Sequence, residues 1–304
     1  MASEISINIS EKLAKIASAA EFYRLRIAIE NICTPIEFAN IASEYGGQNR
    51  QVQEWISSIK LDMAKGNQII RPYLRSQIGA NMELYACGNS QSNSRNLLIN
   101  FCGGYPFRPL AMPMSVFLQH IASEYYDVLN IRDPVGEFYL IDEKSESDAL
   151  MKLIKKIELN FSHYYKNIYC CGLSSGAYAT IVCGELLGAK KTLVFSGVHP
   201  LFARKKDNQF TSRLSKIFNN FHDILRRESK KSNVLLVYGS DNSKDKESAL
   251  EFQRQFNESA IDLLQMLNVS THLTPIALLK ISKLKEFLNN FFLETRLANT
   301  NEYS

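Results

Sequence analysis

From residue 82 onward, the chain alternates short apolar runs with helical stretches. The runs are rich in Val, Ile, Leu, Tyr and Cys, a pattern typical of a largely parallel sheet flanked by helices. The sequence therefore predicts an α/β fold. The candidate strands are MELYACG (82–88), NLLINFC (96–102), YDVLNI (126–131), NIYCCG (167–172), KTLVFS (191–196), NVLLVYG (233–239) and NVSTHL (268–273).

Residues 1–78 follow a different pattern. The stretches EKLAKIASAAEFYRLRIAIENI and NRQVQEWISSIKLDMAKGNQII place apolar residues at three- and four-residue spacing, which indicates amphipathic helices. No motif that carries chemistry stands among them. We therefore expect a helical N-terminal segment over 1–78, followed by an α/β domain over 79–304.

Composition and charge exclude several classes of protein. The chain has 35 basic and 31 acidic residues and a net charge of +4, so no global field favours nucleic acid. The six cysteines include no C-x-x-C pair, and no His, Asp or Glu cluster has ligand spacing, so we expect no metal. No apolar run reaches the length of a membrane span, and the N-terminus lacks a signal-peptide core. A cytoplasmic location without a transmembrane segment follows by default.

One short motif points to chemistry. Gly172-Leu173-Ser174-Ser175-Gly176 has the form G-x-S-x-G and stands where the strand NIYCCG gives way to a helix. A nucleophile on such a turn has strained dihedral angles, and small residues two positions before and after it let neighbouring backbone approach. Ser174 has these neighbours and Ser175 does not. The alternative is an ordinary Gly-Ser turn, but the placement between strand and helix favours Ser174 as nucleophile.

A serine hydroxyl is a weak nucleophile at neutral pH and needs a base. Of the five histidines, only His272 lies at the end of a late candidate strand, just before the final helical stretch. We therefore predict His272 as the base; the alternative is that this imidazole only satisfies the core or the surface. The other four lie in a helix, before a strand or beside a proline: His120, His163, His199 and His222.

The imidazole in turn needs a carboxylate to orient it. The loop after NVLLVYG offers Asp241 and Asp245, and either can reach the carboxyl end of the strand. Asp241 would otherwise be an Asx-turn residue, and Asp245 a helix N-cap. We favour Asp245 and leave Asp241 open.

Acyl transfer also requires donors for the developing oxyanion. The backbone N–H of Ser175, at the start of the helix, is one candidate donor. The second is the N–H of Gly104 or Tyr105, because the double glycine in NLLINFCGGYPFRP frees the backbone to approach a ligand. The alternative is a plain glycine turn.

Taken in order, the elbow, the double glycine, the aspartate loop and the late histidine resemble the α/β-hydrolase fold over residues 80–295. More narrowly, YDVLNIRDPVGEFYL, GLSSGAYATIVCGELLGAKKTLVFSGVHP, YGSDNSKDKESA and THLTPIALLKISKLKEFL resemble bacterial α/β-hydrolase-like proteins of capsule and surface-glycan assembly. Some of those are serine-dependent carbohydrate O-acetyltransferases. The N-terminal 78 residues have no counterpart in the resemblance.

The charge of one segment bears on the substrate. The stretch 201–231 has nine basic and three acidic residues, a net +6, so the rest of the chain sums to 4 − 6 = −2. The resemblance implies a helical cap here, around 201–232. A basic cap would attract an anionic donor such as a coenzyme A thioester, or an acidic glycan. The alternative is a solvated pair of amphipathic helices.

These patterns favour serine-dependent acyl transfer through an acyl-enzyme. The resemblance implies a carbohydrate O-acetyltransferase or a carboxylesterase, with no bound cofactor, acetyl-coenzyme A as a candidate donor and a carbohydrate as acceptor. The alternative is a noncatalytic relative that binds a glycan or an assembly partner. The sequence leaves a homo-oligomer open.

Overall fold

A computed structural model shows a mixed sheet with helices on both faces. It describes residues 18–45, 50–67, 69–70, 72–87, 95–141, 148–203, 217, 221, 223–225, 227, 230, 232–256 and 261–293. Most of the predicted cap around 201–232 lies outside these described residues. No helix among them is long and apolar enough to cross a membrane.

The sheet has eight strands in the order β1-β2-β4-β3-β5-β6-β7-β8. The pairs β1–β2 and β2–β4 are antiparallel, and every other pair is parallel. Consequently the carboxyl ends of β3 to β8 meet at one edge of the sheet. The strands are β1 Tyr73–Gly79, β2 Met82–Cys87, β3 Asn96–Phe101, β4 Tyr126–Ile131, β5 Asn167–Leu173, β6 Lys191–Phe195, β7 Asn233–Gly239 and β8 Ile261–Met266.

Helices cover the sheet on both sides. They are α1 Ala19–Ile32, α2 Pro35–Tyr45, α3 Arg50–Ala64, α4 Met114–His120, α5 Ala149–Phe161, α6 Ala177–Leu187, α7 Pro200–Ala203, α8 Ser243–Phe256, α9 Thr274–Lys280 and α10 Leu284–Leu293. Two buried clusters, one on each face, follow from this layering. The first contains residues of α1–α4, α9 and α10, and the second contains residues of α5, α6 and α8.

The N-terminal helices share a core with the sheet. Trp55 of α3 is 4% exposed and packs edge-on against Phe22 of α1 and Phe38 of α2, with ring centroids 5.8 and 5.6 Å apart. The same cluster continues through Phe117 of α4 to Val128 of β4. The helices of the predicted N-terminal segment therefore pack on one face of the sheet. Its boundary as a separate domain at residue 78 stays a prediction.

The prediction of helix up to residue 78 was wrong for its last stretch. Tyr73–Gly79 is strand β1, which pairs antiparallel with β2 at the edge of the sheet. Only Tyr73 of this strand is buried, and Leu74, Ser76 and Gln77 are exposed, because an edge strand faces solvent on one side. It therefore lacks the continuous apolar run by which the central strands were predicted.

The last predicted strand was also misplaced. Residues 268–273 form a loop in which Asn268 has φ +58°, and the strand that pairs with β7 is β8. In the β8 sequence IDLLQM only three of six positions are buried, as expected for an edge strand, so it offers a weaker apolar signal. His272 thus lies in the loop between β8 and α9.

Candidate active site

Ser174 stands at the sharp turn between β5 and α6. Its φ is +55°, a left-handed conformation that a residue with a side chain adopts only at a cost of about 1–3 kcal/mol. The turn is held by its own carbonyl, which accepts the N–H of Ala177 and, at 3.0 Å, the N–H of Val198 from the loop after β6. These bonds fix the hydroxyl at the carboxyl edge of the sheet.

The two glycines of the motif are required by close approaches. A β-carbon placed on Gly176 would lie 2.5 Å from the carbonyl oxygen of Phe101 at the end of β3. One placed on Gly172 would lie 2.0 Å from Oγ1 of Thr180 in α6. The prediction that neighbouring backbone passes close by is confirmed at Gly176, whereas at Gly172 the close neighbour is a side chain.

The structure brings Ser174, His272 and Asp245 into one hydrogen-bonded chain. Oγ of Ser174 lies 2.8 Å from Nε2 of His272, and Nδ1 of His272 lies 2.8 Å from Oδ1 of Asp245. A carboxylate only accepts, so the Nδ1–H donates to it. In the neutral imidazole this leaves Nε2 as the acceptor for the serine hydroxyl, which is the arrangement that general-base chemistry requires.

Backbone bonds between the loops after β7 and β8 position the imidazole. Asp241 N donates to the Val269 carbonyl at 3.1 Å, and Ser240 N donates to the Met266 carbonyl at 2.9 Å. A β-carbon on Gly239 would lie 2.2 Å from the Val269 oxygen, so only glycine permits this approach. The His272 side chain keeps 35% of its surface exposed.

The two candidate carboxylates occupy different environments. Asp245 is 4% exposed and lies in the first turn of α8, where the helix N-terminus favours a negative charge. The cap of that helix is Asn242, whose Oδ1 accepts the Asp245 N–H at 3.2 Å. Asp241 is exposed, and its Oδ1 accepts the Ser240 hydroxyl at 2.7 Å. Asp245 is therefore the carboxylate that contacts His272.

The double-glycine loop lies beside the serine pair. A β-carbon on Gly103 would be 3.4 Å from Cβ of Ser174, and one on Gly104 would be 3.9 Å from Oγ of Ser175. Tyr105 follows with 66% of its surface exposed. Gly103 thus lies beside Ser174 and Gly104 beside Ser175, and the use of Ser175 with Gly104 or Tyr105 as oxyanion donors stays a prediction.

Sequence reasoning missed the contacts that hold these loops from behind. The Val198 N–H on the Ser174 carbonyl is one, and a 2.9 Å bond between Oγ of Ser196 and Oγ1 of Thr274 is another. Val198, Ser196 and Thr274 belong to no recognisable motif, so no sequence signal indicates these contacts. Among the described residues, no group of three or more His, Cys, Asp or Glu side chains could hold a metal ion.

The sheet order, the serine turn and the late histidine define an α/β-hydrolase fold, and that prediction is confirmed by the comparison with solved structures. The acylaminoacyl peptidase of Pyrococcus horikoshii is similar with a TM-score of 0.51 and 12% identity, over 76% of this chain and 43% of the peptidase chain. These values describe a shared fold.

Two further solved structures are similar over nearly their whole length. The capsule O-acetyltransferase of Neisseria meningitidis serogroup A has a TM-score of 0.46 and 16% identity, over 73% of this chain and 94% of that one. Est1E from Butyrivibrio proteoclasticus has a TM-score of 0.45 and 13% identity, over 73% and 99%. No family model matches the chain, and no curated protein matches it in sequence.

Proposed function

We propose that the protein is a serine-dependent acyl-transfer enzyme with Ser174, His272 and Asp245 as its catalytic triad. The observation that carries the proposal is the hydrogen-bonded chain from the serine hydroxyl through the imidazole to a buried carboxylate, with both distances 2.8 Å. A buried carboxylate on Nδ1 fixes the tautomer and stabilises the imidazolium that forms when the serine loses its proton.

In the first half-reaction, Oγ of Ser174 attacks the carbonyl carbon of an ester or thioester while Nε2 of His272 takes the hydroxyl proton. The tetrahedral intermediate carries its negative charge on the former carbonyl oxygen. When it collapses, the bond to the leaving alkoxide or thiolate breaks, and the imidazolium returns the proton to that group. The acyl group is then esterified to Ser174.

The oxyanion of this intermediate needs donors that are in place before the reaction. We assign them to the backbone N–H of Ser175 and to an N–H of Gly104 or Tyr105. The position of the glycine loop supports this assignment. A β-carbon on Gly103 would lie 3.4 Å from Cβ of Ser174, and one on Gly104 would lie 3.9 Å from Oγ of Ser175. A glycine there leaves room for the substrate oxygen between the two segments.

In the second half-reaction, the oxygen of an acceptor hydroxyl attacks the acyl carbonyl while Nε2 of His272 takes its proton; the bond to Oγ of Ser174 then breaks, and the imidazolium returns the proton to Oγ. We propose a sugar hydroxyl as acceptor, with water as the competing one, so that the enzyme is a carbohydrate O-acetyltransferase or a carboxylesterase. The sequence resemblance to surface-glycan proteins supports the carbohydrate. Acetyl-coenzyme A is the proposed donor, and the basic stretch 201–231 supports an anionic molecule.

Labelling by a fluorophosphonate probe tests the nucleophile. Such probes form a covalent bond only with an activated serine, so we expect a label on the unmodified protein and none on Ser174→Ala. Ser76→Ala, which changes an exposed serine of β1, serves as the control and should label fully. An unlabelled wild-type chain would contradict the proposal and support the noncatalytic alternative, a protein that binds a glycan or an assembly partner.

Mass spectrometry resolves the acceptor. The protein is incubated with acetyl-coenzyme A and glycan oligomers, and Ser174→Ala is the blank. A mass gain of one acetyl group on the oligomer identifies transfer. Free acetate with unchanged oligomers identifies hydrolysis.

A further inference from the structure

The loop that follows β3 lies next to Ser174 and has a strained backbone. It begins at Gly103, beside Ser174, and continues through Phe107, Leu110 and Ala111 with φ of +61°, +46° and +63°. Residues with side chains occupy this left-handed region at a cost in free energy, and they stay there only when surrounding contacts enforce it. The shape of this loop therefore depends on what holds it from the side away from Ser174.

The C-terminal end of α1 provides that support. Nδ2 of Asn31 donates to the carbonyl oxygen of Pro106 at 2.7 Å, across a separation of 75 residues. Its neighbour Glu30 forms an ion pair with Arg108. Two consecutive residues of α1 thus bind the loop at Pro106 and Arg108, immediately after Gly104 and Tyr105.

The gripping residues are themselves fixed. The Glu30 side chain is fully buried, and its Oε1 accepts Nε of Arg26 and Nε1 of Trp55, each at 2.7 Å. The hydroxyl of Tyr85 in β2 donates to the Ile32 carbonyl at 3.1 Å, which ties the end of α1 to the sheet. With two donors on Oε1 and the ion pair of Arg108 on Oε2, the buried carboxylate is restricted to one position, so it transmits that position to the loop.

We propose that Glu30 and Asn31 are positioning residues that set the distance between the oxyanion-donor loop and Ser174, and that this is what the N-terminal helical segment contributes to the reaction. The inference rests on the proposed function. Oxyanion stabilisation depends on donors placed within a few tenths of an ångström, and misplacement of about 1 Å by a distant change costs about 10²-fold in rate. Loss of the Pro106 bond therefore acts on kcat and leaves ground-state binding intact.

The test compares Asn31→Ala with a matched control, Asn67→Ala. Nδ2 of Asn67 also donates to a backbone carbonyl, that of Ile121, at 3.0 Å, and it likewise joins the N-terminal region to the sheet domain. Both variants lose one amide-to-carbonyl bond, so both shift the unfolding midpoint comparably. Asn31→Leu, which fills nearly the same volume without a donor, is a second variant in case alanine impairs folding.

Turnover of p-nitrophenyl acetate is measured per active serine, titrated with the fluorophosphonate probe. We expect kcat to fall at least tenfold in Asn31→Ala and Asn31→Leu with KM within twofold, and Asn67→Ala to retain kcat within twofold. Equal kcat in all variants of an active, labelled protein would overturn the positioning role alone. A wild-type chain that neither labels nor turns over ester would overturn the proposed function and this inference with it.

Discussion

The carboxyl edge of the sheet and the N-terminal helices α1–α3 contribute to the candidate site in different ways. The edge supplies the three side chains of the proposed triad, because the loops after β5, β7 and β8 bring Ser174, Asp245 and His272 together. The helices supply no reacting group. They reach the site through a backbone carbonyl and one ion pair, at Pro106 and Arg108.

The two regions differ in how far their contribution to the site can be predicted from the sequence. At the sheet edge, side chains act directly, so residue type and spacing carry a signal. In the helices, Asn31 acts on a carbonyl that any residue would present, so its partner leaves no trace in the sequence. Variants that separate effects on rate from effects on stability therefore distinguish the two regions.

The largest expected effect separates the two carboxylates of the edge. Asp245→Asn removes the negative charge and introduces an amide that can donate to Nδ1, so the imidazole tautomer is no longer fixed, and we expect kcat to fall by about 10³–10⁴ with little change in the unfolding midpoint. Asp241→Asn, on an exposed side chain, should keep kcat within about threefold. Ester turnover by both purified variants provides the measurement. Similar losses in the two would contradict the assignment of the carboxylate.

A change of intermediate size tests whether the helices and the sheet form one core. Trp55→Ala removes a buried ring between α1 and α2, and we expect it to lower the free energy of unfolding by about 3–5 kcal/mol. Leu61→Ala, on the exposed side of the same helix, should cost about 0.5 kcal/mol or less.

Urea unfolding of the unmodified protein and of both variants, followed by far-UV circular dichroism and by fluorophosphonate labelling, should give coincident transitions. An early helical transition that leaves labelling intact would instead separate the two regions at the predicted boundary near residue 78.

The smallest expected effect concerns the other end of α1. Ser18 caps this helix: its Oγ accepts the Glu21 N–H at 3.2 Å, and Oε2 of Glu21 accepts the Ser18 N–H at 3.1 Å. Ser18→Ala should cost about 1 kcal/mol of stability and leave kcat within about twofold. Thermal unfolding and ester turnover measure the two quantities. A loss of kcat as large as that in Asn31→Ala would show that α1 acts through stability alone.

The sequence predicted the centre of the sheet and missed its edges. Strands such as β7, buried from Val234 to Gly239, appear as continuous apolar runs, whereas β1 and β8 face solvent on one side and do not. His272 was nevertheless placed at the correct edge, because any loop that follows a late parallel strand reaches it, even when the strand is assigned a few residues off.

In the candidate site, too, some residues could be predicted from the sequence and others became evident only from contacts in the folded chain. The flanking glycines Gly172 and Gly176 could be predicted, because crowding at a strand-to-helix turn, by the Thr180 side chain and by the β3 backbone, excludes a β-carbon at either position. The choice of Asp245 over Asp241 was only a preference, since both follow β7 within six residues, and only the folded chain separates them, by burial and by the bond of Asp245 to His272. The grip of Glu30 and Asn31 on the loop depends on how α1 packs, which spacing along the chain does not encode.

The 98-residue separation between Ser174 and His272 has a consequence for the chain during synthesis. Because translation proceeds from the N-terminus, the loop, its anchoring helix and the serine all leave the ribosome well before the imidazole does. A nascent chain that ends before residue 272 carries a hydroxyl with no base beside it. In the proposed triad, activation of the serine therefore requires that synthesis has passed residue 272, and a product that stops earlier lacks the imidazole.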